Sequence, residues 1–377
     1  MKKYFGQFYS KNLKKDIEKY KNTIEINSDK IFLEPFVGEG DLLFMYLDIM
    51  EELGFSSKEL FINNKIRCYD ISKENIENLR IKLDELGFEN IENSIQLNDS
   101  LKINPLSGKE AFIITNPPYL YKVPAKKLDY DMSYFEKYID LYEVAISLYK
   151  EHNGIWIVPS NIFFSTHIKI LSEIIEKLDN IYLFKESKFS DTDISITIFE
   201  INNNLKNEEI FINNISYEIK GNKLYFPEIQ KSSKSYKYKF GFYEKDIEGI
   251  GKRYLLDDKR EISSSINVKN SLIIKMFDST KNEDIGLYSV SEVIDTDILF
   301  NKVSSRMYFQ IFFDKDVDID KLKDGFNSIV IGLREKYDSS FLTNFLSTSK
   351  NNSFNRKRMS ISQAKYLLNE EVKKLNL

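Results

Sequence analysis

An α/β fold built on a mostly parallel sheet is predicted for the first half of this chain by three observations. Between residues 30 and 200, short apolar runs alternate with segments of helical periodicity. Some runs, such as Gly154-Ile155-Trp156-Ile157-Val158, are apolar throughout, as strands covered on both faces are. Turn residues punctuate the alternation, with Gly after the first strand, Ser before a helix and Pro-Pro after a later strand.

The elements follow in order. Ile31-Phe32-Leu33 is a short strand ending at a glycine turn. Asp41 to Leu53 is helical, with Leu42, Leu43, Tyr46, Leu47 and Met50 on one side. Lys65 to Asp70 is a second strand, and Ser72 caps a helix over Glu74 to Leu86 that Gly87 closes. Ser94 to Leu97 and Ala111 to Thr115 are strands. Tyr134 to Lys150 is a helix, Gly154 to Val158 a buried strand, Ile168 to Leu178 a helix and Ile194 to Phe199 a strand.

After Asn202-Asn203-Asn204 the rhythm changes to short alternating runs with Asn, Gly and Ser turns, and from Phe341 the chain is expected to be helical. A length of 377 residues fits two domains. The break is placed near residue 202, giving domains 1–202 and 203–377.

Composition excludes several classes. Hydrophobic residues at 42% and charged residues at 30% exclude wholesale disorder. Aromatics reach 14%, which supplies core volume and flat surfaces for stacking. The lone cysteine, Cys68, can form no internal disulfide and sits in a strand as a small hydrophobe. With His152 and His167 it makes no zinc spacing, so no metal is expected. Met1 to Gln7 lacks the apolar run of a signal peptide, and no stretch approaches the roughly 20 apolar residues of a membrane span. A cytoplasmic protein without membrane partners is expected.

Charge is uneven. Residues 1–200 carry 25 basic and 33 acidic side chains, net −8, and residues 201–377 carry 29 and 25, net +4. A polyanion-binding surface is therefore expected in the second half. That half holds Lys231, Lys234, Lys237 and Lys239 interleaved with Tyr236 and Tyr238, and later Arg356-Lys357-Arg358.

Four constellations carry chemistry. Glu34-Pro35-Phe36-Val37-Gly38-Glu39-Gly40-Asp41 joins a strand to a helix, where glycine lets backbone approach a ligand; a plain tight turn reads equally well. Asp70, at the end of the next strand, suits acceptance of ribose hydroxyls; the alternative is a helix cap, which Ser72 already provides. Asp99, in Asn98-Asp99-Ser100, suits an adenine amino group or is part of a polar loop. Thr115-Asn116-Pro117-Pro118-Tyr119 follows a strand directly. Its prolines fix φ and leave the carbonyls before them as rigid acceptors, Asn116 adds a side-chain oxygen and Tyr119 an aromatic face. Together they suit a planar amine held by its two N–H groups.

With these residues the chain resembles the amino-methyltransferases that act on adenine in DNA. Glu34–Asp41 matches the family's cofactor loop, Asp70 its ribose acid, Asp99 its adenine-facing acid and Asn116–Tyr119 its catalytic tetrapeptide. Gly6 to Ser10 resembles the segment over the methionine part of the cofactor, with Ser10 for Thr and Lys11 for Pro, and Phe189 resembles the second aromatic around the flipped base.

The resemblance implies a Rossmann-like methyltransferase with a mostly parallel seven-stranded sheet in 1–202. It also implies a C-terminal α+β target-recognition domain in 203–377, the γ-type order of a restriction-modification enzyme. S-adenosylmethionine is the implied cofactor, held by Ser10, Glu34, Phe36, Gly38, Gly40, Asp70, Ile71, Asp99 and Ser100. Asn116, Pro117, Pro118 and Tyr119 are the implied catalytic set, with Tyr119 and Phe189 stacking on the base. Double-stranded DNA is the implied partner, with Lys231, Lys234, Lys237, Lys239, Arg356, Lys357 and Arg358 as phosphate contacts. A cognate restriction endonuclease is a further candidate partner, and a monomer is expected. Cytosine N4 or an RNA amine stays open as the alternative target.

Overall fold

The computed structural model describes residues 13–106, 108–164, 168–184, 196–245, 251–255, 271–278, 285–289, 308–313, 317–337, 341–345 and 356–376. The chain divides into two compact units, Met1–Tyr225 and Phe226–Leu377.

The first unit holds strands β1 Ile31–Glu34, β2 Ile66–Asp70, β3 Ile95–Leu97, β4 Ala111–Thr115, β5 Asn153–Pro159, β6 Leu178–Leu183, β7 Ile196–Ile201, β8 Glu209–Ile212, β9 Ile215–Ile219 and β10 Leu224–Tyr225. They form one sheet in the order β10-β9-β8-β6-β7-β5-β4-β1-β2-β3. β3, β2, β1, β4 and β5 are mutually parallel, and β7 runs antiparallel between β5 and β6. The central strands are buried on both faces, with Ile113, Ile114, Ile155, Trp156, Ile157, Ile198 and Phe199 all fully buried. That is why these runs are apolar rather than alternating.

Helix α1, Asp41–Glu52, buries Leu42, Leu43, Met45, Tyr46, Leu47, Ile49 and Met50, and Tyr46 stacks on Phe32 of β1 at 4.0 Å. Helix α2, Lys73–Glu85, is capped by the Ser72 hydroxyl, which accepts from Asn75 N at 3.3 Å, and Gly87 closes it at φ +74°.

Several expectations need correction. The helix expected from Tyr134 begins only at Leu141 (α3, Leu141–Tyr149), because the preceding chain pairs with the segment after β4: Tyr121 bridges Asp140 and Leu141 N donates to Leu120 O. The helix expected over Ile168–Leu178 is a single α turn, Leu171–Ile174, followed by a 3-10 turn, Ile175–Lys177. Leu178 opens β6, whose apolar run is interrupted by Asp179 and Asn180, the latter at φ +46° beside a register shift. Three strands beyond the expected seven widen the sheet. β8 joins β6 through Ile181 and Ile212, and β9 and β10 follow as hairpin partners. The first unit therefore runs past residue 202 to Tyr225.

In the second unit, β11 Lys239–Lys245, β12 Gly251–Leu255, β13 Ser271–Lys275, β14 Gly286–Ser289 and β15 Tyr308–Phe312 form an antiparallel sheet in the order β12-β11-β15-β13-β14. Helix α4, Ile319–Tyr337, buries Leu322, Phe326, Val330, Leu333 and Tyr337 along one stripe. β16 Thr343–Phe345 pairs with β17 Arg356–Arg358, so the basic triplet lies on a strand rather than in the helix expected there. Helix α5, Ile361–Lys374, starts only after it, with a capping box of Ser360 and Gln363.

The tightest spot in the first sheet is Gly154. A Cβ there would lie 2.5 Å from the Ile113 carbonyl oxygen and 2.7 Å from its Cβ, both in a central strand that cannot yield. Gly154→Ala should destabilise the protein by about 2–3 kcal/mol and lower its melting temperature by about 5–10 °C, measured by circular dichroism. An unchanged melting temperature would mean that β4 and β5 are not paired in this register.

Candidate active site

The strand order reverses between β1 and β4, and ligands in open α/β sheets bind outside the carboxyl ends of strands at such a switch point. A cleft of about 720 Å³, partly open to solvent, lies there. Its walls come from four strand ends. Glu34, Phe36, Val37, Gly38, Glu39, Asp41 and Leu42 follow β1; Asp70 and Ile71 end β2; Asn98 to Leu101 follow β3; Asn116 and Pro118 follow β4. Tyr130 completes it.

The loop after β1 is held by backbone and carboxylate together. Val37 N donates to Tyr69 O at 2.8 Å, Gly38 N to Asp70 Oδ2 at 2.9 Å and Gly40 N to Val37 O at 2.9 Å. Gly38 at φ +54° and Gly40 at φ +88° both take the left-handed region, and Gly40 lies in the part of it that favours glycine. The other oxygen of Asp70 accepts from Ser72 N at 2.7 Å and Asn75 Nδ2 at 3.3 Å. Asp70 thus braces the loop as well as lining the cleft.

Asp99 is held from the far side by the Tyr134 hydroxyl at 2.5 Å, with Lys102 Nζ at 3.8 Å. Beneath the floor, the ring of Tyr149 meets Phe36 edge-on at 6.3 Å, and its hydroxyl donates to Ser100 O at 3.1 Å.

The electrostatics are one-sided. Five carboxylates, Glu34, Glu39, Asp41, Asp70 and Asp99, line the cleft, and no lysine or arginine is among its described lining residues. Glu34 is 2% exposed and its Oε2 has no hydrogen-bond partner. Burial, then repulsion from Asp41 and Asp70, pushes its carboxyl well above the usual range. Such a cleft disfavours phosphates and suits a ligand bearing positive charge, hydroxyls and amino groups. Ile71, 42% exposed, adds an uncovered apolar side chain at the rim.

The structure brings together Glu34, Phe36, Gly38, Asp70, Ile71, Asp99, Ser100, Asn116 and Pro118. Two residues carry structural roles as well. Gly40, between the lining residues Glu39 and Asp41, starts α1, and a Cβ there would meet Leu79 Cδ1 at 2.7 Å. Tyr119 is buried at 6% exposure, its single hydroxyl set between two acceptors, Ile157 O at 2.8 Å and Asn116 Oδ1. Here it holds the Asn116 side chain instead of offering a stacking face. Pro117 is buried behind Asn116. Ser10 and Phe189 lie outside the described residues.

Tyr130 and Tyr134 went unforeseen, since irregular spacing in a tyrosine-rich stretch carries no period. His152 is a core residue, paired with Asn104 at 3.1 Å, and burial lowers its pKa. Burial likewise raises the thiol of Cys68.

In the second unit, Lys231, Lys234, Lys237 and Lys239 are all exposed. Their segment lies along α5: Ser232 N donates to Ser362 O at 2.9 Å and Tyr236 N to Asn369 Oδ1 at 2.9 Å. β17 precedes the same helix, so Lys357 and Arg358 belong to the same neighbourhood; Arg358 also sits over the Phe277 ring at 5.3 Å.

No protein-family model and no curated protein matches this sequence. Among solved structures the chain is similar to the methyltransferase subunit of a type I restriction-modification system from Streptococcus thermophilus, at 14% identity and TM-score 0.40, covering 58% of this chain and 50% of that one. It is similar to the M protein of the type I restriction enzyme EcoKI, at 14% identity and TM-score 0.40, over 87% of this chain and 71% of that one. It is also similar to the type IIL restriction-modification enzyme MmeI in complex with DNA, at 13% identity and TM-score 0.47, over 94% and 63%. The chain spans about half the length of the Streptococcus subunit.

Behind the Asn116–Tyr119 turn, Asp140 accepts from Leu120 N at 3.1 Å, and burial pushes its carboxyl from near 3.8 up to about 8. The folded state therefore keeps a proton that the unfolded chain loses, so this group's contribution to stability falls as pH rises from about 4 to 8. Asp140→Asn removes that dependence. Its melting temperature relative to the parent should climb across the same window by scanning fluorimetry, and a constant difference would show that Asp140 is ionised in the fold.

Proposed function

We propose that this chain is an S-adenosylmethionine-dependent methyltransferase that methylates the N6 amino group of adenine in duplex DNA. The observation that carries this reading is the convergence of the Glu34–Leu42 loop, Asp70, Asp99 and Asn116–Pro118 on one acidic cleft at the sheet's switch point.

The lining suits this cofactor. Its sulfonium and ammonium charges fit a cleft lined by Glu39, Asp41, Asp70 and Asp99, and a cation bound there would favour ionisation of Glu34, whose buried Oε2 has no hydrogen-bond partner. In this reading Asp70, which also braces the loop, accepts from the ribose hydroxyls, Asp99 from the adenine amino group, and Ile71 and Tyr130 supply the apolar rim, all of them lining the cleft. A dinucleotide's pyrophosphate would meet repulsion in the same place. When bound, S-adenosylmethionine supplies a methyl group activated by its sulfonium.

The chain's own residues then position an amine. An adenine amino nitrogen is a weak nucleophile because its lone pair is conjugated with the ring. The Asn116 side-chain oxygen and the Pro117 carbonyl accept its two N–H groups and localise that lone pair. Tyr119 keeps Asn116 oriented through its hydroxyl. Orientation and fixed dipoles carry the step, and no strong base is needed early. The base must leave the helix to reach the cleft, at a cost of a few kcal/mol.

Residues 226–377 are assigned target recognition in this reading, with Lys231, Lys234, Lys237, Lys239, Arg356, Lys357 and Arg358 contacting phosphates. A restriction-modification role with a cognate endonuclease is part of the same proposal.

Asn116→Ala should abolish methyl transfer while leaving S-adenosylmethionine binding within about twofold by calorimetry, since the cofactor's own partners are untouched. Sequencing of methylated bases in DNA from cells expressing the protein should reveal 6-methyladenine at one short motif. Retained transfer by the variant removes Asn116 from the mechanism, and 4-methylcytosine instead of 6-methyladenine moves the target to cytosine.

A further inference from the structure

The chain that follows the Asn116–Tyr119 turn leaves the cleft and returns to it. It departs through Leu120, held by Asp140, and Lys122, whose N–H donates to Ile139 O at 2.8 Å. It comes back at Tyr130, a wall of the cleft, whose own N–H donates to Ala125 O at 3.1 Å. Between these anchors lies a short helix, Lys122–Lys127.

Ala125 is the buried residue of this segment, and Tyr121 to Pro124 and Lys126 to Asp129 are exposed. Three apolar side chains stand in solvent: Val123 at 59%, Leu128 at 41% and Tyr121 at 38%. Three lysines sit among them. Lys122 Nζ is spent on Phe135 O at 2.9 Å, whereas Lys126 and Lys127 have no side-chain partner among the described residues. Of the acids that follow, Asp131 is already paired with Lys102 at 3.1 Å.

We propose that Tyr121–Leu128 is a duplex-docking element beside the target pocket, in which Lys126 and Lys127 contact backbone phosphates and Val123 and Leu128 pack against the neighbouring sugars. The inference rests on DNA being the substrate. Its physical basis is a charge problem. Residues 1–200 carry net −8 and the cleft itself is ringed by carboxylates, so a polyanion brought to the cleft mouth meets repulsion unless cations stand next to it. Two unpaired lysines on a segment anchored to the pocket at both ends meet that need. The exposed Val123 and Leu128 beside them offer apolar contact to the sugars that the phosphates flank.

The test is fluorescence anisotropy of a labelled mixed-sequence duplex with the full chain and S-adenosylmethionine across a salt series, using the parent, Lys126→Ala/Lys127→Ala and, as a control, Lys58→Ala/Lys73→Ala. Each lost phosphate contact should remove about 0.9 from the slope of log K against log salt, so the double variant should be shallower by about 1.8 and bind roughly tenfold or more weakly near 0.1 M salt. The control pair should match the parent. Unchanged cofactor affinity by calorimetry shows that the variant is folded. A double variant with the parent's slope and affinity overturns the docking element while leaving the DNA reading intact. A parent that binds structured RNA but no duplex removes the DNA reading itself, and the docking element with it.

Discussion

The carboxylate of Asp70 is the joint on which the cleft depends. One oxygen fixes the Gly38 N–H at 2.9 Å; the other fixes the Ser72 N–H at 2.7 Å and the Asn75 amide at 3.3 Å. It is 3% exposed, so these charge-assisted bonds form away from competing water. The loop after β1 and the start of α2 are thereby registered to one side chain. Removing it would leave those donors unsatisfied at about 1–3 kcal/mol each. A residue singled out for touching a ligand also builds the loop that touches it.

The rest of the cleft follows from sheet order. β1 sits between β2 and β4, so crossovers on either side of it travel to opposite faces and leave a crevice at the carboxyl ends. Tyr149 then ties two of the four wall segments together from below, touching Phe36 with its ring and Ser100 with its hydroxyl. Tyr134 steadies Asp99 from the opposite side. The walls after β1 and β3 thus have supports outside the lining itself, which hold Asp99 and the Phe36 loop in place despite the repulsion among the cleft carboxylates.

Legibility tracked locality. Short-range features were readable: the glycine turn after β1, the Ser72 cap, the acid ending β2 and Asn-Pro-Pro-Tyr ending β4 lie within a few residues of their cause. Features set by packing were not. β6 was hidden because Asp179 and Asn180 interrupt its apolar run, and its place is fixed by pairing with β7 and β8. Tyr119 read as a stacking face because sequence does not reveal which side of a loop is covered; in the fold Ile157 O and Tyr142 enclose it. Gly40 shows a packing role that sequence does not reveal, because a positive φ and close helix packing leave the same mark, a glycine. Tyr130 reaches the cleft only because the chain folds back after Leu120. In the second unit neither α4 nor the strand character of Arg356–Arg358 was foreseen, since an antiparallel sheet with long excursions leaves little local period.

A single charge conflict organises the molecule under this reading. A cationic cofactor calls for carboxylates, and Glu34, buried with an unpartnered oxygen, shows how far the cleft goes in that direction. A nucleic-acid substrate calls for the reverse. Both demands cannot be met by the same side chains, because a lysine near enough to neutralise a phosphate at the cleft floor would also neutralise the cleft carboxylates such as Asp70. Separation is the available solution, with carboxylates lining the cleft and the cations that meet a phosphate backbone outside its lining. In the first unit Lys126 and Lys127 lie outside a pocket that contains neither lysine nor arginine among its described walls, so the cations that could meet a phosphate backbone are kept apart from the carboxylates that could meet a cationic cofactor.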